Sequence, residues 1–220
     1  MEVKKNLETI MQKIESAREK SNEHKAPTII AVTKYVTIDR AKEAIEAGID
    51  HLGENRIEGF LEKREAFSDV TMHFIGTLQS RKVKEVINQV DYLHSLDRLS
   101  LAKEIDKRAE KTIKCFVQVN VSDEQSKHGI KRYEVMDFIR ALASYSQIEV
   151  VGLMTMAPAD ADDTELRTYF KTMKKLQLEV QDAHLSYAPC TELSMGMSND
   201  YQIAVEEGAT FIRIGTKLVG

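Results

Sequence analysis

The residues best suited to chemistry are a lysine at the end of one apolar run and a polar group near the end of the chain. Lys34 closes a β-branched apolar run that begins at Thr28. A lysine amine that is partly removed from water has a lowered pKa and becomes a nucleophile toward carbonyl carbons. We therefore expect Lys34 to be partly desolvated. A solvated lysine that opens a loop is the alternative, since lysine is rarely buried.

The polar group near the end of the chain has the composition of a phosphate site. Ser198 precedes a short helix that Asn199 or Asp200 is expected to cap. The Ser198 hydroxyl and the free backbone N–H groups at the start of this helix would bind an anion. Gly215 and Thr216 follow the last predicted strand, where barrels often hold phosphate. Each residue taken singly is also consistent with an ordinary turn. Together they predict a phosphate-binding site.

Arg213 lies inside that last apolar strand and needs a partner there. Strand alternation places it on the same face as Phe211 and opposite Ile212. A charge within an apolar strand must be compensated, either by a bound ligand or by a carboxylate of the protein. Arginine has no hydrogen-bond acceptor and stays protonated, so a ring nitrogen that faces it should remain unprotonated.

The three features fit one kind of ligand when they are taken together. A lysine amine binds an aldehyde as a Schiff base, a Ser/Gly/Thr group binds a phosphate, and an arginine contacts a ring nitrogen. Pyridoxal 5′-phosphate (PLP) carries all three groups. The sequence therefore predicts a PLP site in which the electron sink used by most PLP enzymes is weakened.

The elements that must position these residues alternate between strands and helices. An amphipathic helix is predicted over residues 1–22. Eight strand candidates follow, each separated from the next by a helical or turn segment: 28–34, 49–52, 71–75, 91–95, 113–121, 148–154, 191–195 and 210–214. Strict alternation indicates a parallel sheet, and this many units fit a compact (β/α)₈ TIM barrel. We predict an α/β, single-domain barrel over residues 1–220 with an extra N-terminal helix; an open doubly wound sheet is the alternative.

Local signals set several helix boundaries. Thr37 is expected to cap the helix after the first strand, and Gly48 is expected to end it. The helix after the second strand is predicted to run through Leu61. A longer helix is predicted over roughly 164–181, where apolar residues recur at helical spacing.

Composition excludes several classes of protein. The chain has 220 residues, 42% of them hydrophobic, and a formal net charge of -4, with a pI near 5.9. No general positive field favours nucleic acid, and no apolar run is long enough for a membrane span or resembles a signal peptide. Cys115 and Cys190 are isolated, which fits a reducing compartment. We expect a cytoplasmic protein with no nucleic-acid or membrane partner.

Segments along nearly the whole chain, in order, match one family. They are 31–34, 51–56, 73–82, 119–121, 126–129, 152–156, 193–198 and 213–216. With these segments the chain resembles the pyridoxal phosphate homeostasis protein family, which is related to the N-terminal barrel of alanine racemases. The resemblance implies a PLP-binding barrel.

The same resemblance assigns expected roles to individual residues. It implies that Lys34 binds PLP and that Arg213 faces the pyridine nitrogen. It further implies that the phosphate is bound by Ser198, Gly215 and Thr216. Three more residues are expected near the cofactor: Asn55, His73 and Met197.

Three hypotheses about activity follow. Alanine racemases add a second domain that supplies a tyrosine base, whereas here only residues 217–220 follow Gly215 and Thr216. We therefore expect a monomeric, non-catalytic protein that buffers PLP and delivers it to PLP-dependent apo-enzymes, because a site open to water is poorly suited to turnover.

The alternative is a small monomeric PLP racemase with His73, His94 or Tyr35 as second base. A metal hydrolase would use His51, His73 and His94, but no HxH or HExxH spacing is present. His24, His128 and His184 are expected on the surface or in loops.

Overall fold

The computed structural model describes residues 1–22, 25–125 and 128–220. The strands are β1 (Thr28–Val32), β2 (His51–Glu54), β3 (Thr71–Phe74), β4 (Tyr92–Leu96), β5 (Ile113–Asn120), β6 (Ile130–Lys131), β7 (Ile148–Met154), β8 (Glu192–Ser194) and β9 (Phe211–Ile214). The α-helices are α1 (Glu2–Glu19), α2 (Ile38–Glu46), α3 (Ile57–Ala66), α4 (Val83–Val86), α5 (Leu99–Arg108), α6 (Val135–Ala141), α7 (Asp163–Asp182), α8 (Tyr201–Glu206) and α9 (Thr216–Val219).

Parallel strands close into a ring within the described residues. Their order is β1-β2-β3-β4-β5-β7-β8-β9, and β9 returns to β1. The pairing of β4 with β5 closes the other side. The prediction of a (β/α)₈ barrel with an N-terminal helix is confirmed, and an open sheet is excluded because each of these eight strands is paired on both sides. The short β6, which was not predicted, pairs with β5 outside the ring.

The second strand lies later in the chain than the predicted range 49–52. The N–H of Ile49 donates to the carbonyl of Ala44 at 3.0 Å, so this residue closes the turn after α2 and is not part of the ladder. The strand occupies His51–Glu54. The difference matters because Glu54 thereby becomes a buried strand residue beneath the mouth of the barrel.

Helix ends agree with the sequence signals in part. The Thr37 side chain accepts a hydrogen bond from the first turn of α2, as predicted. Helix α3 continues beyond Leu61 to Ala66. Asp200 occupies the N-cap of α8, but its side chain does not cap the helix. The carboxylate instead accepts from the N–H of Met197 at 2.6 Å, so it stabilises the loop before the helix.

The core has two parts, one inside the barrel and one between the barrel and its helices. The inner part consists of Ile30, Phe116, Val151, Met154 and Phe211, with Tyr92 against them. The outer part buries one face each of α1 and α7, with residues such as Val3, Leu7, Ile10, Phe170 and Met173. In the described ranges, no helix combines the length and apolarity needed to cross a membrane.

Candidate functional site

A cavity of about 320 Å³ lies at the carboxyl ends of β1, β8 and β9. This is the end of a TIM barrel at which ligands bind. The cavity is lined by six of the residues that the sequence singled out: Lys34, Met197, Ser198, Arg213, Gly215 and Thr216. Residues from distant parts of the chain therefore meet in one place, because parallel pairing of β1 with β9 brings their ends together.

Lys34 lies on the turn after β1 with its side chain exposed. The partial desolvation expected from the sequence is wrong for this arrangement, because β1 ends at Val32 and the chain leaves the barrel wall after Thr33, whose N–H still donates to the Gly53 carbonyl at 3.0 Å. The Lys34 Nζ lies 5.9 Å from the centre of the Tyr35 ring. The guanidinium of Arg56 is also near that ring, at 5.0 Å. Tyr35 has a φ of 64°, a left-handed conformation that is uncommon for residues other than glycine.

The residue before Lys34 is held by a buried ion pair that the sequence did not reveal. Lys63 Nζ lies 3.0 Å from Glu54 Oε1, and both side chains are almost fully buried. The Thr33 hydroxyl donates to the same carboxylate oxygen at 2.9 Å. Lys63 also donates to the Thr33 carbonyl at 3.3 Å. The turn that carries Lys34 thus starts from a residue fixed through both its side chain and its backbone.

Arg213 points into the barrel, on the side of β9 that it was predicted to share with Phe211 of the inner core. It is 3% exposed, and one of its nitrogens donates to the Thr155 carbonyl at 2.8 Å. Another donates to the Ser194 hydroxyl. Burial lowers the pKa of Arg213 to about 10, and the negative charge of Asp200 opposes that shift. The guanidinium therefore remains a cation at neutral pH, and its hydrogen-bond partners among the described residues are uncharged.

The loop that carries Ser198 is fixed by its neighbours. Gly196 has a φ of 99°, and a Cβ at this position would lie 2.7 Å from the Cβ of Ala204, so only glycine fits. The hydroxyl oxygen of Ser198 accepts from the N–H of Lys217 at 3.5 Å. This contact joins the loop after β8 to α9, which follows Gly215. Burial raises the pKa of Asp200, although the hydrogen bond from the Met197 backbone acts in the opposite direction.

Asn55 and His73 do not line this cavity. Asn55 lies beside it, on a neighbouring cavity of about 370 Å³ that also contacts Lys34. Its Oδ1 atom is buried and, within the described part of the chain, has no hydrogen-bond partner. His73 is fully buried in the barrel interior. This geometry therefore favours a role for His73 behind the site over direct contact with the ligand.

The three histidines considered for a metal site are arranged in a line. His51 Nδ1 lies 2.8 Å from His73 Nε2, and His73 Nδ1 lies 2.8 Å from His94 Nε2. The facing nitrogens are thus occupied by one another. Across the described ranges, no set of three or more His, Cys, Asp or Glu side chains is placed to hold a metal ion. His128 and His184 are exposed, and His24 lies outside the described residues, as do Ser126 and Lys127, the first two residues of the 126–129 segment.

Comparison with known proteins places the chain in a family. The family model described as "Alanine racemase, N-terminal domain" matches residues 5–220. A pyridoxal phosphate homeostasis protein of Aquifex aeolicus is 36% identical over 220 residues, covering 97% of this chain and 96% of the relative. The chain belongs to the pyridoxal phosphate homeostasis protein family. A second member, from Synechocystis, is 37% identical over 199 residues, covering 87% of this chain and 90% of the relative.

A solved structure of a similar protein agrees with the fold. It is PipY of Synechococcus elongatus, described with PLP bound, and it superposes with a TM-score of 0.85. The two sequences are 29% identical, and the match covers 99% of this chain and 100% of PipY. The barrel described above is therefore also the fold of PipY.

Proposed function

We propose that this chain binds PLP as a Schiff base on Lys34 and serves as a non-catalytic carrier in vitamin B6 homeostasis. The observation that carries the proposal is the convergence of Lys34, Ser198 and Arg213 on one cavity. The donor set fits the ligand, since it offers an amine, a hydroxyl with backbone N–H groups, and a cation. The PLP named in the description of PipY supports the same ligand.

Lys34 would form the covalent link through its neutral amine. The nitrogen gains a double bond to the aldehyde carbon, and the aldehyde oxygen leaves as water together with the two amine hydrogens. The exposure of Lys34 leaves the bond open to hydrolysis. A reversible link of this kind suits storage and release of the cofactor.

Arg213 would set the electronic state of the ring. Its guanidinium remains charged because a pKa near 10 lies above neutral pH. A donor-only cation at the ring nitrogen disfavours protonation of that nitrogen. PLP supplies an electron sink to enzymes when this nitrogen is protonated. A site that keeps the nitrogen unprotonated is consistent with carriage and weak chemistry.

These properties and the names of the relatives support one physiological role. We propose a cytoplasmic monomer that buffers PLP and delivers it to PLP-dependent apo-enzymes. The relatives from Aquifex aeolicus and Synechocystis are named homeostasis proteins, which supports this role over racemisation. Light scattering during size-exclusion chromatography tests the monomer.

A titration with PLP tests the binding proposal. The visible absorbance of a lysine Schiff base should appear and saturate at one PLP per chain. Lys34→Ala should abolish it, and Lys42→Ala, which removes an exposed lysine of α2, should not change it. Saturating absorbance in Lys34→Ala would overturn the assignment of Lys34.

A weak racemase is the second candidate, and Tyr35 is the observation that keeps it open. The ring of Tyr35 lies beside Lys34, whereas both ring nitrogens of His73 and His94 are engaged in hydrogen bonds. Racemisation of a panel of amino acids by the loaded protein, with Tyr35→Phe and Lys34→Ala as variants, decides between the candidates. Turnover that both substitutions abolish would favour the racemase.

A further inference from the structure

A line of polar side chains leads from Arg213 through the interior of the barrel. The Arg213 guanidinium donates to the Ser194 hydroxyl, and Ser194 Oγ lies 2.9 Å from His94 Nδ1. His94 Nε2 lies 2.8 Å from His73 Nδ1. His73 Nε2 lies 2.8 Å from His51 Nδ1. The strands β9, β8, β4, β3 and β2 each contribute one member.

Because Arg213 can only donate, one direction of hydrogen bonds gives every hydrogen in this line an acceptor. Ser194 Oγ is the acceptor for the guanidinium, and the serine hydrogen is free to point at His94 Nδ1. His94 then carries its proton on Nε2 and donates to His73. By the same rule His73 carries its proton on Nε2 and donates to His51. The opposite direction would leave Ser194 Oγ facing two donors while its own hydrogen lacked an acceptor in the line.

Each hydrogen bond in the line pairs one donor with one acceptor only when the imidazoles of His73 and His94 are neutral. Burial lowers the pKa of His73 and of His94 well below the usual range, and the adjacent charges act in the same direction. Both side chains are fully buried. Their rings are also held by stacking, His73 on Tyr92 at 4.7 Å and His94 on Phe116 at 4.2 Å. The tautomers and the ring planes are thus fixed together.

We infer that Ser194, His94 and His73 are positioning residues that hold the Arg213 guanidinium at the ring-nitrogen side of the site through a one-directional chain of neutral hydrogen bonds. The inference rests on the proposed function for the identity of the ring. Ser194 supplies the acceptor that orients Arg213, and His94 keeps the serine lone pairs turned toward the guanidinium. None of the three touches the ligand cavity.

The first test uses the protein without PLP and measures the histidine tautomers by ¹⁵N NMR of labelled histidine. The expected result at neutral pH is that His73 and His94 are neutral, with hydrogen on Nε2 and none on Nδ1. A proton on Nδ1 of either residue, or a cationic ring, would overturn the inference. This measurement needs no variant and no cofactor, so its outcome is independent of whether PLP binds at Lys34.

The second test measures the ¹⁵N shift of the pyridine nitrogen in protein loaded with labelled PLP, across a pH series. Ser194→Ala and His94→Phe should raise the pH midpoint for protonation of that nitrogen by about one unit, a tenfold change in proton affinity. His94→Asn retains an acceptor for Ser194 and should restore the original midpoint. His184→Asn, at an exposed site, is the control.

The two proposals fail in different ways. Unchanged midpoints in folded Ser194→Ala and His94→Phe would overturn the positioning role while leaving PLP binding intact. Loss of the Schiff base in Lys34→Ala, with the Schiff base retained in the other variants, supports PLP binding at Lys34. If a variant does not fold, the tautomers of the unaltered protein still decide the inference.

Discussion

The buried ion pair beneath Lys34 provides a quantitative test of what holds the mouth of the barrel. Lys63 and Glu54 lie 3.0 Å apart, and their side chains are 3% and 2% exposed. Lys63→Met keeps the length and apolar stem of the side chain and removes its charge. The Glu54 carboxylate then retains the Thr33 hydroxyl but loses its cation. Removing one partner of a buried pair costs about 3–5 kcal/mol.

Urea unfolding followed by circular dichroism measures this cost. With a slope of about 3 kcal/mol per molar urea, a loss of roughly 3–5 kcal/mol lowers the midpoint by about 1–2 M. The control is Lys42→Met, which removes an exposed helical ion pair with Glu46 at 3.9 Å. An exposed pair of this kind contributes at most about 0.5 kcal/mol, so its midpoint should barely move.

A double variant separates the charge from the packing. Replacing both partners, in Lys63→Met with Glu54→Leu, removes the unpaired charge and should recover most of the lost stability. The reasoning is refuted if Lys63→Met unfolds at the same urea concentration as Lys42→Met. It is also refuted if the double variant is as unstable as Lys63→Met alone, since the loss would then come from packing.

Three further predictions concern stability and reactivity. Gly59→Ala should destabilise the protein by about 1–3 kcal/mol in urea unfolding, although alanine has the better helix propensity. The reason is that the new Cβ would lie 2.9 Å from a buried oxygen of Glu54. A stabilised variant would show that the carboxylate moves freely. Burial raises the pKa of Cys190 to about 12, so iodoacetamide should label it only after unfolding, and rapid labelling of the native protein would contradict its burial. Burial keeps the pKa of His94 well below its usual range. Below pH 6.5 the unfolded state therefore binds one more proton than the folded state. The free energy of unfolding decreases as the pH is lowered, by up to about 1.4 kcal/mol per pH unit for this residue. His94→Asn should flatten that slope and His184→Asn should not; equal slopes would be the contrary result.

The positions of Lys34 and Arg213 could be predicted because they depend on rules with short range. A β-branched run identifies a buried strand, and the parallel arrangement then places the residue after it at the ligand end. Alternation along Phe211–Ile214 places Arg213 on the same face as Phe211, and the barrel makes that face the inner one. Only the period of the pattern and the order of the strands are needed for either inference.

The supports of the site could not be predicted in the same way. The pairing of Glu54 with Lys63 joins β2 to one face of α3, and it depends on where β2 begins and on how the helix is rotated. The predicted second strand, 49–52, did not include Glu54. The exposure of Lys34 likewise depends on the path of the turn after Val32, which composition does not specify.

The histidine line illustrates the same limit at longer range. His51, His73 and His94 were each recognised as strand residues, but a line and a metal cluster need the same residue types. The distinction depends on register between neighbouring strands, which brings His51 and His73 together at 2.8 Å with their nitrogens facing. Register becomes known only from the folded barrel.

The central claim is that Lys34 holds PLP covalently, and reductive trapping tests it most directly. Protein incubated with one equivalent of PLP is reduced with borohydride, digested and mapped by mass spectrometry. The account predicts a single pyridoxyl group on the peptide that contains Lys34. A group on another lysine with Lys34 unmodified, or no adduct at all, would contradict it.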